Sequence, residues 1–357
     1  MEGADLLRII EAIHREKDID KEALFEGIES ALLTAARKQY GTTGEIVVEV
    51  DRETGDMGAY EETPEGRVSI PLDLGRIAAQ TAKQVIIQRI REAERDVIYE
   101  EYKRQLHSIL TGSVQRFEGG TLIVNLGKTE GILPKTEQVR GEDYRIGDRI
   151  RAYVLDLKKA GQKVKIILSR SHPDFVAKLF ELEVPELAEG LIEIMTLVRE
   201  AGYKTKMAVR SRDGKIDGIG ACVGVRGTRI KNVLDELKGE KVDVIRWSDS
   251  TEELIANALK PAQANYITLD SENMRAKVIC DDDQLSLAIG RRGQNVRLAA
   301  KLCKWDISIL TQSEMESGPG DLEESPDRIG RFDDDMELGG AGLTGTGAFE
   351  ESDPTGS

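Results

Sequence analysis

Long apolar runs are missing from this chain: none reaches the about 18 consecutive residues that a membrane-spanning helix needs. Aromatic residues are scarce at 4%, which argues for several small domains rather than one large core. Cysteine is scarcer still. Cys222, Cys280 and Cys303 are odd in number and widely spaced, which excludes a disulfide framework and a paired-cysteine metal site. The histidines (His14, His107, His172) stand alone, without ligand spacing to those cysteines, so no zinc site is expected. The opening "MEGADLLRIIEAIHREKD" is amphipathic and acidic, with no basic region followed by an apolar block, so no secretory signal is expected either. A cytoplasmic protein with reduced core thiols fits these absences.

What is present is unevenly placed. The net charge of −15 would argue against a nucleic-acid partner, but its distribution reverses that impression. Residues 1–111 carry −8, 112–170 carry +5, 171–313 carry −1 and 314–357 carry −11. Within the near-neutral part, Arg199 to Arg246 holds 12 basic residues against 7 acids, and Gln284 to Lys304 holds five against none. Local fields, not totals, decide what a surface attracts.

The length of 357 residues predicts roughly two to three domains, or more if they are small. Residues 1–111 read as helix, helix, short strands and a long helix. "DIDKEALFEGIESALLTAARKQYG" has acids in its first turn and stops at Gly41, while "EIVVEV" and the run around Val68 to Ile70 are strand-like. The helical spacing from Gly75 runs to Leu110. From 112 to 170 the character changes. "GSVQRF", "TLIVNLG", "EGILP", "DRIRAYVLDL" and "VKIILSR" are five short strand-like runs between Gly, Pro and charged turns, the pattern of an OB-fold barrel.

The second half contains a repeat. "VGVRGTRIKNVLDEL" (Val223 to Leu237) aligns with "IGRRGQNVRLAAKLC" (Ile289 to Cys303) at an offset of 66 residues. Each copy has an upstream helix, expected near Glu186–Glu200 and Glu252–Ala262. A short helix, a GxxG turn, a second helix and a closing strand ("KVDVIRW", "WDISIL") follow. Two copies mean tandem domains. Two glycines without Cβ atoms let a foreign backbone lie close, and the next helix aims free N–H groups at it. Phosphate is the natural guest, with Arg226, Arg291 and Arg292 supplying forked donors. That is the logic of the KH module, whose GxxG loop clamps single-stranded nucleic acid. The plainer alternative is an ordinary helix–turn–helix connection. Past Thr311 the chain is acidic, rich in Gly, Ser and Pro, and expected to be disordered.

Other motifs carry less. Gly127-Lys128-Thr129 resembles the end of a P-loop, but Leu122 stands where that pattern needs glycine. "GIGACVG" lacks the spacing and the frame of a dinucleotide fingerprint. Cys222 and Cys303 read as core. Arg89, Arg91 and Arg95 face a binding partner or form a solvated, salt-paired helix face.

Taken together, "GRIAAQTAKQVIIQRIREAERD", "SRSHPDFVAKLFELEVPE", "GIGACVGVRGTRI" and "IGRRGQNVRLAAKL" resemble the NusA family of bacterial transcription elongation, termination and antitermination factors. The resemblance covers about residues 4–311. It implies an α+β multidomain chain with five parts: an RNA polymerase-binding N-terminal head (1–111), an OB-fold barrel of the ribosomal-protein-S-one type with its connector (112–183), a first KH domain (184–249), a second KH domain (250–312) and a disordered acidic tail (313–357). Between Val50 and Gly75 the head is shorter than in many members, without much of an acidic insert.

The expected RNA-binding residues are Gly224, Val225, Arg226, Gly227 and Arg229 in the first copy. In the second they are Gly290, Arg291, Arg292, Gly293, Asn295 and Arg297. On the barrel, positions that often carry stacking aromatics hold Gly120, Leu122 and Pro134. Only Phe117 and Tyr153 remain as stacking candidates, and either fits a core as well. Charge from Arg116, Lys128, Arg151, Lys163 and Lys165 is the barrel's other candidate contribution, unless these form a solvated face. The resemblance implies a non-enzymatic, monomeric partner of RNA polymerase and of single-stranded nascent RNA. It implies other Nus factors as further partners, and no metal, cofactor or membrane. The competing readings are an RNA-processing enzyme with accessory KH and barrel modules, or a ribosome-associated RNA-binding protein.

Overall fold

The computed structural model describes residues 3–17, 20–40, 45–63, 66–70, 74–161, 163–316 and 326–332. They form two compact units. The first holds the head up to Leu106 with barrel residues 128–130 and 157–166; the second holds the remaining described residues.

The head begins with α1 (Gly3–Lys17) and α2 (Lys21–Tyr40). On α2, Leu24, Phe25, Ile28, Leu32 and Ala36 share one helical stripe, and all are buried with Leu6 and Ile10 of α1. An antiparallel sheet follows in the order β1 (Glu45–Val50), β2 (Met57–Thr63) and β3 (Gly66–Ser69). Ile46, Val48 and Val50 alternate into the same core. The long helix α3 spans Leu74–Lys103 and stops short of the expected Leu110. Ile109 and Leu110 belong instead to a barrel strand, opposite Tyr153 and Ala152, and this pairing overrides their helical spacing.

All five strand-like runs form a closed barrel. β4 (Ile109–Glu118), β5 (Thr121–Asn125), β6 (Glu130–Leu133), β7 (Arg149–Ala160) and β8 (Lys163–Ser169) close in the order β4-β5-β6-β8-β7. Val114, Leu122, Val124, Leu133, Val154 and Ile166 are buried. α4 (Pro173–Glu183) follows, started by Pro173 and by His172, whose ring accepts from the Asp174 N–H; α5 (Pro185–Ala188) comes next.

The repeat appears as two copies of one topology. The first has β9 (Ile192–Glu200), β10 (Lys204–Ser211), α6 (Gly218–Val223), α7 (Thr228–Glu236) and β11 (Lys241–Arg246). The second has α8 (Thr251–Leu259), β12 (Tyr266–Asp270), β13 (Arg275–Cys280), α9 (Leu285–Ile289), α10 (Gln294–Cys303) and β14 (Asp306–Thr311). In both, the first two strands pair antiparallel and the third joins parallel. The expected helix at Glu186–Glu200 is a correction: residues from Ile192 onward are strand β9. Ser250 caps α8, its hydroxyl accepting from the Glu253 N–H.

The unstructured tail expected from 313 also needs correction in part. α11 (Gln312–Glu316) extends past Thr311, and β15 (Ile329–Gly330) adds to the second sheet, giving β12-β13-β14-β15. Residues 317–325 and 333–357 of that tail lie outside the described residues.

Candidate nucleic-acid interface

The two glycine loops have the same backbone. Gly224 has φ 75° and ψ 170°, Arg226 56° and 25°, and Gly227 74° and 18°. Their counterparts are Gly290 at 74° and 178°, Arg292 at 54° and 36°, and Gly293 at 70° and 10°. Glycine enters the left-handed region freely, but arginine pays about 1–2 kcal/mol to do so. Strain of this kind, placed identically in both copies, marks a loop shaped for something other than stability.

Each loop is locked from behind by the residue five positions after its first glycine. A Cβ on Gly224 would stand 2.8 Å from the Arg229 side chain, and one on Gly290 would stand 2.7 Å from that of Asn295. Arg229 Nη1 donates to the Ala221 carbonyl at 2.8 Å, and Asn295 Nδ2 donates to the Leu287 carbonyl at 3.2 Å. Both donors and both acceptors differ by the repeat offset. Arg229 also pairs with Glu186, and Asn295, only 3% exposed, donates to the Leu259 and Ala288 carbonyls as well. These two residues hold the loops rather than face a ligand. Arg297 is likewise engaged, its Nε 2.8 Å from Glu200. Arg229 and Asn295 are thus turned into the fold behind their loops, whereas Arg297 engages Glu200 through Nε and keeps part of its guanidinium exposed.

What remains outward is Val225 (82% exposed), Arg226, Arg291 and Arg292. Among the described residues no hydrogen bond or ion pair engages these three guanidinium groups. Three such forks on two strained turns have the donor geometry that suits an anion.

Two clefts on the first KH module escaped the sequence reading. One, about 280 Å³, lies between α6 and β11 and is lined by Ile219, Val244, Ile245 and Arg246 with Asn257 and Lys260. The other, about 380 Å³, shares Ile219 and Arg246 and adds Arg210, Lys215 and Trp247. The charge there is largely paired, Arg246 with Asp217 at 3.2 Å and Arg210 with Glu193 and Asp249, while the Trp247 indole donates to Asp249. In the sequence Trp247 shows only as the end of a strand.

Three of the expected barrel cations have acidic neighbours. Arg116 pairs with Glu118 at 2.6 Å, Lys128 with Glu101 at 2.6 Å, and Arg151 lies 3.9 Å from Glu236. Lys163 and Lys165 are exposed on β8. Of the aromatic candidates, Phe117 is 47% exposed and available to stack. Tyr153 is core, its ring stacked on His172 at 5.0 Å and its hydroxyl donating to Asp174. On α3, Arg95 pairs with Asp96; Arg91 is engaged too, and the side chain of Arg89 lies outside the described residues. Burial pushes the Cys222 and Cys303 thiols up to about 12, as core residues should be. No cluster of potential metal ligands occurs among the described residues.

Comparison with known proteins agrees with this architecture segment by segment. Family models match for the NusA N-terminal domain (residues 5–65 and 62–96), an S1 RNA binding domain (103–171), a NusA-like first KH domain (170–247) and a NusA-like second KH domain (251–317). The transcription termination/antitermination protein NusA of Bacillus subtilis is 39% identical over 359 residues, covering 92% of this chain and 97% of the relative. The chain belongs to the NusA family. NusA of Halalkalibacterium halodurans is 40% identical, covering 88% of this chain and 90% of its own. NusA of Mycobacterium bovis is 41% identical, with 84% and 91% covered. A solution structure of the N-terminal domain of NUSA from B. subtilis shares 34% identity, covering 26% of this chain and 98% of that one, at a TM-score of 0.23 too low to bear on the fold.

In this NusA-family chain the RNA-binding modules of the second unit are packed together rather than strung on linkers. Arg170, 1% exposed, pairs with Glu142 of the barrel and with Glu236 of the first KH module, and donates to the Arg151 carbonyl. Burial alone would lower its pKa, but the Glu142 carboxylate more than compensates and raises it. Arg199 and Glu240 form a second buried pair at 2.9 Å, and both arginines lie over the Phe175 ring. The two KH modules share one core, in which Val198, Ala208 and Ile245 of the first meet Ile255, Leu259 and Cys303 of the second.

Proposed function

We propose that this chain is a non-catalytic adaptor that binds bacterial RNA polymerase through its head and emerging single-stranded RNA through its barrel and KH modules. In that position it modulates pausing, intrinsic termination and antitermination in the cytoplasm, as a monomer and together with other Nus factors. Two modest contacts on one chain reinforce each other through effective concentration. The observation that carries the RNA part is the pair of matching strained loops presenting Arg226, Arg291 and Arg292 without partners among the described residues. The names of the relatives, transcription termination/antitermination proteins, support the polymerase part.

The test is a quadruple variant, Val225→Asp, Arg226→Asp, Arg291→Asp and Arg292→Asp, which puts carboxylates where phosphates would sit and touches no core. Affinity for a single-stranded RNA oligonucleotide is expected to fall about tenfold or more, with an unchanged circular dichroism spectrum. Wild-type log affinity should fall against log salt by about 0.7 per phosphate contacted, and the variant's slope should be shallower. Unaltered affinity in a folded quadruple variant would remove the loops from the site.

A further inference from the structure

Acidic sequence rich in glycine and serine is a poor place to find a strand, yet Ile329–Gly330 form one. β15 pairs antiparallel with the outer edge of β14, Gly330 opposite Ile307 and Ile329 opposite Ser308. Gly330 lies so close to α10 that a Cβ there would stand 2.4 Å from the Val296 carbonyl oxygen and 2.8 Å from the Ala300 Cβ. No other residue type could press its backbone onto the helix in this way. Two clips hold the segment: Arg328 pairs with Glu314 at 2.6 Å, and the Phe332 N–H donates to Asp306 Oδ1 at 2.8 Å.

The same segment reaches the glycine loop. A Cβ on Gly293 would stand 3.0 Å from the Asp327 carbonyl oxygen, so the turn at Pro326–Arg328 rests on the fourth residue of the loop. Gly293 is buried, whereas its counterpart Gly227 is not. Among the described residues nothing equivalent covers the first module: β11 is the outermost strand of its sheet, in the order β11-β10-β9.

We propose that residues 326–332 are the resident occupant of the second KH module's loop-and-edge surface, so that RNA engages the Gly290–Gly293 loop fully only after this segment lifts away. The proposal rests on the reading of that loop as an RNA site. An exposed strand edge accepts an extended chain through its main-chain hydrogen bonds, and here the Asp327 backbone also rests on Gly293 of the loop. The ladder is only two residues long, which makes the hold weak and exchangeable. The modules are thus unequal: the first is open and the second is gated. Apparent affinity at the second is reduced by the fraction of molecules in which the segment is released.

The experiment uses the full chain and a single-stranded RNA oligonucleotide. Gly330→Val expels the strand by its clash with Val296 while leaving the net charge unchanged. A second variant, with residues 326–332 replaced by a glycine–serine stretch of equal length, removes the strand if valine is accommodated. Amide exchange over residues 306–311 reports release. The expected result is protection in the wild type, its loss in the variants, and RNA affinity rising several-fold with that loss. Loss of protection without tighter binding would overturn the proposal, as would a wild type that shows no protection. Adding Arg291→Asp and Arg292→Asp to the glycine–serine variant separates the two ideas. If the gain persists, the loop is not the RNA site. If these substitutions weaken binding but release of the segment brought no gain, the gating alone fails.

Discussion

Lys206 and Asp243 sit side by side on the parallel strands β10 and β11 and pair at 2.9 Å, with the ammonium fully buried and donating also to the Ala258 carbonyl of the next module. A charge so enclosed depends on its partner. Removing one half of a buried pair is far more costly than removing both, because the survivor keeps its desolvation penalty without compensation. Asp243→Asn should therefore destabilise the chain by about 3 kcal/mol, at the low end for buried pairs because Asp243 retains some contact with water. The double variant Lys206→Met with Asp243→Asn should recover much of that loss in denaturant titrations. Burial would raise the Asp243 carboxyl, but Lys206 and Lys204 outweigh it and hold the group below its ordinary 3.8. A depressed carboxyl stabilises the fold above its ordinary value, and the benefit is lost as pH falls through the folded value. The wild type should thus lose stability below 3.8 more steeply than the double variant. Parallel acid limbs in the two melting curves would contradict this.

Asn295 sets a second expectation. Its buried amide satisfies three carbonyls at once, those of Leu287, Ala288 and Leu259. Asn295→Ala strands them and should cost about 1–3 kcal/mol of stability. Weaker RNA binding should follow from the loosened loop, not from a lost contact. The salt dependence of binding, which counts phosphate contacts, should therefore stay the same. Unchanged RNA affinity in Asn295→Ala would show that this amide does not support a binding loop.

Arg226 and Arg292 lead to a third. Asparagine tolerates the left-handed region better than arginine does. Arg226→Asn and Arg292→Asn should raise the unfolding temperature slightly while lowering RNA affinity. Stability and binding moving in opposite directions is the signature of strain kept for function. If both fall together, the arginines contribute to the fold.

The repeat, the five barrel strands and the glycine loops were all legible in the sequence, because each depends on local spacing. The stretch from Glu186 to Glu200 was misread for the opposite reason. "ELAEGLIEIMTLVRE" is rich in helix formers, yet Ile192 to Glu200 gain more by pairing with β10, a partner that spacing does not reveal. Asn295 and Arg229 stand beside the loops, where spacing alone makes them resemble ligands. Sequence places a side chain near a turn but does not say that it bends back toward a carbonyl 8 residues earlier. Gly330 was invisible because composition is an average, and one glycine in an acidic tail is unremarkable until a helix is found against it.

The core shared by the two KH modules has a bearing on the chain's history. Duplicated segments begin as interchangeable parts, each able to be lost, swapped or expressed alone. Here Val198, Ala208 and Ile245 are buried against the second copy rather than capped within the first, and Lys206 sends its proton donor across to Ala258. Neither copy can be excised without opening an apolar wound in its sibling. Through packing, two similar copies make one cooperative unit that folds, or fails, together.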